Sequence, residues 1–242
     1  NNIFTGAAPT PAPLIKWFER LGITIQEAYA MTENTCYSHV SFKNKIKIGS
    51  VGQALPYCEV KLSEENDILI KHDALMDGYY KEEGQTNETI KNGWLHTGDE
   101  GEIDENRFLT ITGRVKDIFK TSKGKYVAPS PIEMKLSANK NIEQVCVVGN
   151  GLPQPIALIT LSEIGLSKPK EDLIKSLEKT LKIVNIKLDG HERIHNIVMV
   201  NEEWNIANKL LTPTMKIKRN SIEKKYKEHY SIWYHSSNKI VT

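Results

Sequence analysis

Asp99 closes the run Gly93-Trp94-Leu95-His96-Thr97-Gly98-Asp99, and Arg114 follows within Gly113-Arg114-Val115-Lys116-Asp117. A carboxylate can accept hydrogen bonds from both hydroxyls of a ribose, and a guanidinium can donate to the same sugar without losing its charge. The two residue types at this spacing read as a ribose clamp followed by a hinge. Two plainer readings compete with it. An aspartate after a glycine is a common turn residue, and Arg114 could equally be a strand-end arginine paired with Asp117 or Glu133.

Elements that could position such a clamp are visible on both sides of it. In residues 1 to about 45, a Gly-Ala-Ala-Pro turn precedes an amphipathic helix over Pro11 to Leu21 and a strand over Ile23 to Glu27, the pattern of the last piece of an α/β domain. From 46 to 112 the pattern changes to short alternating segments: Ile46 to Val51, Glu59 to Leu62, Asp67 to Ile70, Glu102 to Asp104 and Phe108 to Thr112. The last two form a hairpin about Glu105-Asn106, and the region reads as a small β subdomain. After Arg114 the chain reads as a compact α+β unit. A helix is predicted to start at Ser130-Pro131-Ile132-Glu133, with serine as cap, proline first and glutamate third. Strands follow at Val145 to Val148 and Ile156 to Leu161. A second helix carries Leu173, Ile174, Leu177, Leu181 and Val184, and a further strand runs from Ile197 to Val200. The boundaries expected are therefore 1–114 and 115–242.

Composition narrows the class. The 242 residues are 39% hydrophobic and 26% charged, ordinary for a soluble globular protein, and the net charge of +2 makes no case for nucleic acid. No apolar run approaches the roughly eighteen residues that span a bilayer, and the first residues lack a basic-then-apolar signal, so a cytoplasmic location is expected. Cys36, Cys58 and Cys146 are odd in number and far apart, which predicts reduced, mostly buried thiols. The sequon Asn87-Glu88-Thr89 is then expected to stay unmodified. The tail from residue 207 is strongly basic, with Lys209, Lys216, Lys218, Arg219, Lys224, Lys225, Lys227 and Lys239 against Glu223 and Glu228. A solvated helix face is one reading of most of these lysines, Lys216 excepted.

Taken in order, the motifs resemble the adenylate-forming superfamily of acyl-CoA synthetases, luciferases and peptide-synthetase adenylation domains, above all its long-chain acyl-CoA synthetases. The resemblance runs from Thr5 to about Arg219. By it, Gly6, Ala7, Ala8 and Pro9 of Thr5-Gly6-Ala7-Ala8-Pro9 and Tyr29 of Tyr29-Ala30-Met31-Thr32-Glu33 line a purine site. Small residues there permit close backbone approach, and the aromatic ring can stack. Thr32 can hold a phosphate oxygen, and Glu33 offers a hard oxygen ligand for Mg²⁺. Met76-Asp77-Gly78-Tyr79-Tyr80-Lys81 supports the site. Lys116 falls at the hinge about which the C-terminal domain rotates, where the family often has aspartate. Lys120 and the Gly124 segment correspond to the loop lining the CoA tunnel. In Leu211-Thr212-Pro213-Thr214-Met215-Lys216-Ile217-Lys218-Arg219, Lys216 takes the place of the catalytic lysine, whose ammonium can bridge an attacking carboxylate and a phosphate oxygen. Other relatives have Ser-Gly where this chain has Thr214-Met215, which leaves Lys216 and Lys218 both open as the catalytic group.

The resemblance implies a fold made of the tail of the large adenylate-forming domain, with its β subdomain, and an α+β C-terminal lid. It implies a ligase that activates a fatty acid with Mg-ATP to an acyl-AMP and transfers the acyl group to coenzyme A. The family's glycine-rich phosphate loop lies upstream of all these motifs, so the chain reads as the C-terminal part of a longer enzyme, inactive alone, whose missing part could touch a membrane. The alternatives are a non-catalytic nucleotide-binding or interaction module, and luciferase-like or carrier-protein ligase chemistry. His191-Glu192-Arg193-Ile194-His195 also fits a zinc-protease string, but that chemistry needs a helix, and Asp189-Gly190 before it reads as a turn and Asn196 to Val200 after it as a strand.

Overall fold

Pro13 sits in the first turn of α1 (Ala12–Arg20), where a missing N–H costs nothing. This helix connects two parallel strands, β1 (Ile3–Thr5) and β2 (Ile25–Tyr29). The structure, a computed structural model, describes residues 3–6 and 10–242, so Ala7, Ala8 and Pro9 of the expected purine turn lie outside it. Strands β3 (His39–Val40) and β4 (Gln53–Ala54) complete the first sheet, in the order β1-β2-β3-β4.

The second sheet is built from β5 (Glu59–Leu62), β6 (Asp67–Lys71), β7 (Ile90–Lys91), β8 (Trp94–Ile103) and β9 (Leu109–Arg114), with α2 (Glu83–Thr89) leading into β7. Its spatial order is β5-β6-β8-β7, and β9 pairs with β8. The core beneath it is Val60, Ile68, Ile70, Leu95 and Leu109, supplied by alternate positions of the strands.

Three expectations in this part need correction, the first being the strand expected at Glu102 to Asp104, which is the end of the longer β8 that starts at Trp94. The first helix-following strand lies two residues later than predicted, reaching Tyr29. The segment 46 to 51 is not a strand: it turns at Gly49, and both Gly49 and Gly52 have a φ of 89°. At Gly52, one residue beyond the segment, a Cβ would stand 2.1 Å from the Val40 carbonyl oxygen, so close backbone packing requires glycine there.

The chain divides into compact units spanning 1–116 and 117–242. In the second, β10 (Phe119–Lys120) and β11 (Tyr126–Val127) form a hairpin. Helix α3 (Pro129–Leu136) leads to β12 (Ile142–Val148) and β13 (Ile156–Leu161). Then come α4 (Glu163–Leu166), α5 (Lys170–Ile186), β14 (Ile197–Met199), α6 (Arg219–Tyr226), α7 (Tyr230–Tyr234) and β15 (Ile240–Val241).

The sheet β12-β13-β14-β15 is covered on both faces. Val145, Val147, Ala157 and Ile159 pack with Ile132 of α3 and with Leu173, Leu177, Leu181 and Val184 of α5. Cys146, Val148, Ile156 and Leu158 point the other way, into Trp204, Leu210, Leu211, Ile222 and Tyr226. Burial on both faces is why Val145 to Val148 of β12 and Ile156 to Ile159 of β13 read as unbroken apolar runs.

Helix α3 starts one residue before the predicted capping serine. Pro129 presets its first φ, and Ser130 makes no capping bond. Glu133 does not reach back to the cap either. Its Oε1 accepts the Val147 N–H at 2.7 Å. The cysteines differ from one another: Cys146 is buried, Cys58 half-buried and Cys36 exposed, which corrects the expectation of mostly buried thiols.

His39 on β3 is 3% exposed, with Nδ1 2.7 Å from the Ser38 hydroxyl. Burial, reinforced by the charge of Arg107, holds its pKa at about 4 against the usual 6.5. The folded value lies below the unfolded one. The neutral ring's stabilisation is therefore complete above pH 6.5 and is lost as pH falls towards 4, a swing of roughly 3 kcal/mol. Urea unfolding of His39→Gln should lack this component, so that the difference between wild type and variant changes between pH 7 and pH 4. A difference that stays constant would mean that the folded ring is not held neutral.

Candidate functional site

The β8–β9 hairpin builds the first part of the site. Its register sets Asp99 opposite Arg114, and Arg114 Nε lies 3.1 Å from Asp99 Oδ1. Arg114 thus pairs with Asp99. Tyr29, the last residue of β2, donates its hydroxyl to Asp99 Oδ2 at 2.8 Å. Asp99 is 7% exposed, whereas the Arg114 side chain is 63% exposed. Burial raises the Asp99 pKa, opposed by the Tyr29 hydrogen bond and the Arg114 charge. Burial, and next the Asp99 charge, raises the Tyr29 phenol, which keeps its proton as a donor. Each carboxylate oxygen has two acceptor sites, so one protein donor apiece leaves capacity for sugar hydroxyls.

A second carboxylate, Asp67, fixes the strand that carries Asp99. Its Oδ1 accepts the Gly98 N–H and its Oδ2 lies against His96 Nδ1, both at 2.9 Å. The β6–β8 pairing shifts register between Asp67 and Leu69, and Gly98 takes a φ of 70°. The Thr97 hydroxyl accepts the Asp99 N–H at 3.1 Å. Sequence reasoning missed Asp67. Its signal was a carboxylate opening the apolar run Ile68-Leu69-Ile70.

Thr32 and Glu33 begin a 3-10 turn, Thr32–Asn34, that follows β2 after two residues. Thr32 is exposed and Glu33 half-buried. The turn is held by Asn34, fully buried, whose Oδ1 accepts the Met31 N–H at 3.0 Å. The Met76 to Lys81 segment braces it: Met76 N–H donates to the Glu33 carbonyl, and the Tyr79 hydroxyl to Glu33 Oε1, both at 2.9 Å. Asn34 and the role of Tyr79 were also missed.

The described residues include no cluster of three or more His, Cys, Asp or Glu that could hold a metal. One carboxylate with a free oxygen, beside an exposed hydroxyl, suits a Mg²⁺ that arrives with phosphates. At Gly6 an added Cβ would press to 3.3 Å on the Ala28 carbonyl oxygen of β2, which accounts for the glycine by packing.

Lys116 ends the first unit, and the second carries the other residues. Val115–Asp117 is a 3-10 turn with Lys116 exposed. Gly124, with a φ of 76°, closes the β10–β11 hairpin by donating to the Thr121 carbonyl at 2.9 Å. Lys120 is exposed, its ammonium 5.4 Å from the Tyr126 ring centroid. The hairpin is tied down by Ser122 N–H to the Leu152 carbonyl, at 2.9 Å.

Lys216 and Lys218 are both exposed, on a short ribbon closed by pairing of Leu211 with Ile217. Thr212 grips its tip: the Thr212 N–H donates to the Lys216 carbonyl at 2.8 Å, and the Lys216 N–H to the Thr212 hydroxyl at 3.0 Å. Arg219 departs from the rest of the basic tail. It is buried, at 8% exposure, with Nη2 2.7 Å from Glu133 Oε1 and Nε 3.4 Å from Asp117 Oδ2. The two carboxylates offered above to Arg114 belong to it.

His191 lies in a turn rather than a helix, and the His195 ring stacks on Tyr234 at 4.2 Å. The zinc-protease string therefore lacks the helical spacing that would turn both rings to one metal.

Residues 1–80 match the family model of the AMP-binding enzymes, and residues 116–238 that of the AMP-binding enzyme C-terminal domain. The chain belongs to the AMP-binding enzyme family. It is 33% identical to the long-chain-fatty-acid–CoA ligase FadD15 of Mycobacterium bovis over 92% of this chain and 40% of that protein. It is 32% identical to long-chain-fatty-acid–CoA ligase 5 of Rattus norvegicus over 97% of this chain and 39% of that one. The chain thus spans about 40% of the length of these relatives. The fold matches anthranilate CoA ligase AuaEII in complex with anthranoyl-AMP, with a TM-score of 0.76 at 23% identity, over 93% of this chain and 44% of that one. It also matches O-succinylbenzoate CoA synthetase from Bacillus subtilis in complex with AMP, with a TM-score of 0.72 at 22% identity, over 91% and 45%.

Met215 has a φ of 62° and is 61% exposed. Glycine takes such a φ without strain. Met215→Gly should be neutral to within about 0.5 kcal/mol, because about 1 kcal/mol of relieved strain is offset by the added freedom of the unfolded chain. Met215→Ile should lose about 1 kcal/mol or more, as a β-branched residue fits this region poorly. Urea unfolding measures both, and a larger loss for glycine than for isoleucine would contradict the ribbon's geometry.

Proposed function

We propose that this chain is the C-terminal part of a long-chain fatty acid–CoA ligase. The observation that carries the reading is the buried Asp99, held between Tyr29 and Arg114 with acceptor capacity to spare. In this reading Asp99 accepts the ribose hydroxyls of ATP, and Arg114 donates to the same sugar. Gly6, Ala7, Ala8, Pro9 and Tyr29 border the purine, Thr32 meets a phosphate oxygen, and Glu33 holds Mg²⁺ together with the phosphates. Bound there, Mg²⁺ would neutralise charge on the departing pyrophosphate. Lys216 bridges the fatty carboxylate and the α-phosphate as the carboxylate attacks. Rotation at Lys116 then exchanges the Lys216 ribbon for the face with Lys120 and Gly124, past which the CoA thiol reaches the acyl-adenylate. Positioning supplies the entropic share of such a rate and the cations the electrostatic share.

The surface of the first unit supports its being part of a larger body. Ile3, Phe4, Leu14, Trp17 and Leu21 are 40 to 58% exposed on and beside β1 and α1. So many large apolar side chains left this exposed suit a surface that is covered in a larger body. No helix among the described residues is long and apolar enough to cross a membrane. The domains proposed are 1–114, the end of the large AMP-binding domain, and 115–242, a mobile lid.

In the whole ligase, Lys216→Ala should slow formation of acyl-adenylate by a factor on the order of a hundred to a thousand, the scale of one electrostatic group. Transfer from preformed acyl-adenylate to CoA should change far less. Measuring the two half-reactions separately, with Lys218→Ala in parallel, tests this. Equal losses in both halves for Lys216→Ala, or a selective loss only for Lys218→Ala, would overturn the assignment.

A further inference from the structure

Arg219 opens α6, three residues beyond Lys216, and its guanidinium touches three separate segments. Nη1 donates to the Val147 carbonyl at 2.7 Å and lies 3.3 Å from Cys146 Sγ, both on β12. Nη2 donates to Glu133 Oε1 on α3 at 2.7 Å, and Nε, which makes no hydrogen bond, forms an ion pair with Asp117 Oδ2 at 3.4 Å, directly after Lys116. Glu133 Oε1 also accepts the Val147 N–H, so α3, β12 and α6 meet at one oxygen.

From Arg219 to the lysine the backbone is bonded step by step. The Lys218 N–H donates to the Leu210 carbonyl at 2.8 Å, Ile217 pairs with Leu211, and Lys216 and Thr212 bond reciprocally. A buried ion pair of this kind is weak evidence for stability, since apolar residues of similar volume often do as well. What a planar fork adds is placement, because it fixes several acceptors at once where an ammonium acts as a point charge.

We propose that Arg219 is a positioning residue that joins the Lys216 ribbon to the exit of the hinge, so that movement at Lys116 carries the lysine with it and without slack. This rests on the roles proposed above for Lys116 and Lys216. A catalytic ammonium displaced by about 1 Å costs on the order of a hundredfold in rate, which makes slack at this joint expensive. Asp117 is the arm that faces the hinge. Its side chain is 28% exposed, so it can be altered with little risk to the core.

Hydrogen exchange on the 242-residue chain, wild type against Asp117→Asn and Arg219→Lys, tests the mechanical link. Residues 211–218 should exchange about tenfold faster in Arg219→Lys, which disturbs charge-assisted hydrogen bonds, and about threefold faster in Asp117→Asn, which weakens only an ion pair, while α5 keeps its protection. Unchanged exchange in 211–218, or an equal rise in α5, would overturn the proposal, the latter by making the cluster a general stabiliser. Asp117→Asn serves alone if Arg219→Lys does not fold.

In the whole ligase, Asp117→Asn should lower kcat for adenylate formation on the order of tenfold, with KM for ATP and the transfer from preformed acyl-adenylate unchanged. Normal adenylation kinetics in a variant whose ribbon is loosened would also overturn the positioning role. If the wild-type ligase forms no adenylate with any fatty acid, the proposed function fails instead, and the exchange result still decides whether the link exists.

Discussion

Asp99 is a carboxylate with almost no access to water, and a buried carboxylate either finds donors or gives up its charge. Much of the first unit is arranged around that demand. The β8–β9 register brings Arg114 opposite it, and β2 ends where the Tyr29 hydroxyl can reach it. Asp67 holds Gly98 and His96 so that the bend leading into Asp99 is fixed. A slip of one residue in this hairpin would send Asp99 to the opposite face of the sheet and leave Tyr29 and Arg114 without their acceptor.

The second unit meets a different constraint, the placing of an exposed lysine. Lys216 gets no support from the core directly, since its side chain projects from a short ribbon. Its position depends on backbone bonds through Thr212, Leu211 and Leu210, which are rooted in the apolar layer beneath β12 and β13. The same sheet packs α3 and α5 on its other face. The cation that reaches solvent is thereby connected to the best-buried part of the unit.

The longer elements were the legible ones in the sequence, because several of them carry an unambiguous period. Leu173, Leu177, Leu181 and Val184 mark the buried stripe of α5, and Ile156 to Leu161 coincides with β13. Asp99 and Arg114 were legible as a pair through their residue types, although the register that joins them was not. What escaped was set by contacts distant in sequence. Glu133 looked like a capping residue because sequence shows its neighbours in the helix and not Val147 or Arg219 across the unit. Arg219 looked like one more surface cation, since nothing local distinguishes it from Lys218. The segment 46 to 51 alternates like a strand, but it turns at Gly49, whose φ of 89° the alternation does not reveal.

The central claim is that Asp99 and Arg114 clamp a ribose through its two hydroxyls. Isothermal titration of the chain with AMP and with 2′,3′-dideoxy-AMP tests it most directly, because the two nucleotides differ only in those hydroxyls. The account predicts that AMP binds between about ten and a hundred times more tightly, the worth of hydrogen bonds to a charged group. Equal affinity for the two would contradict it.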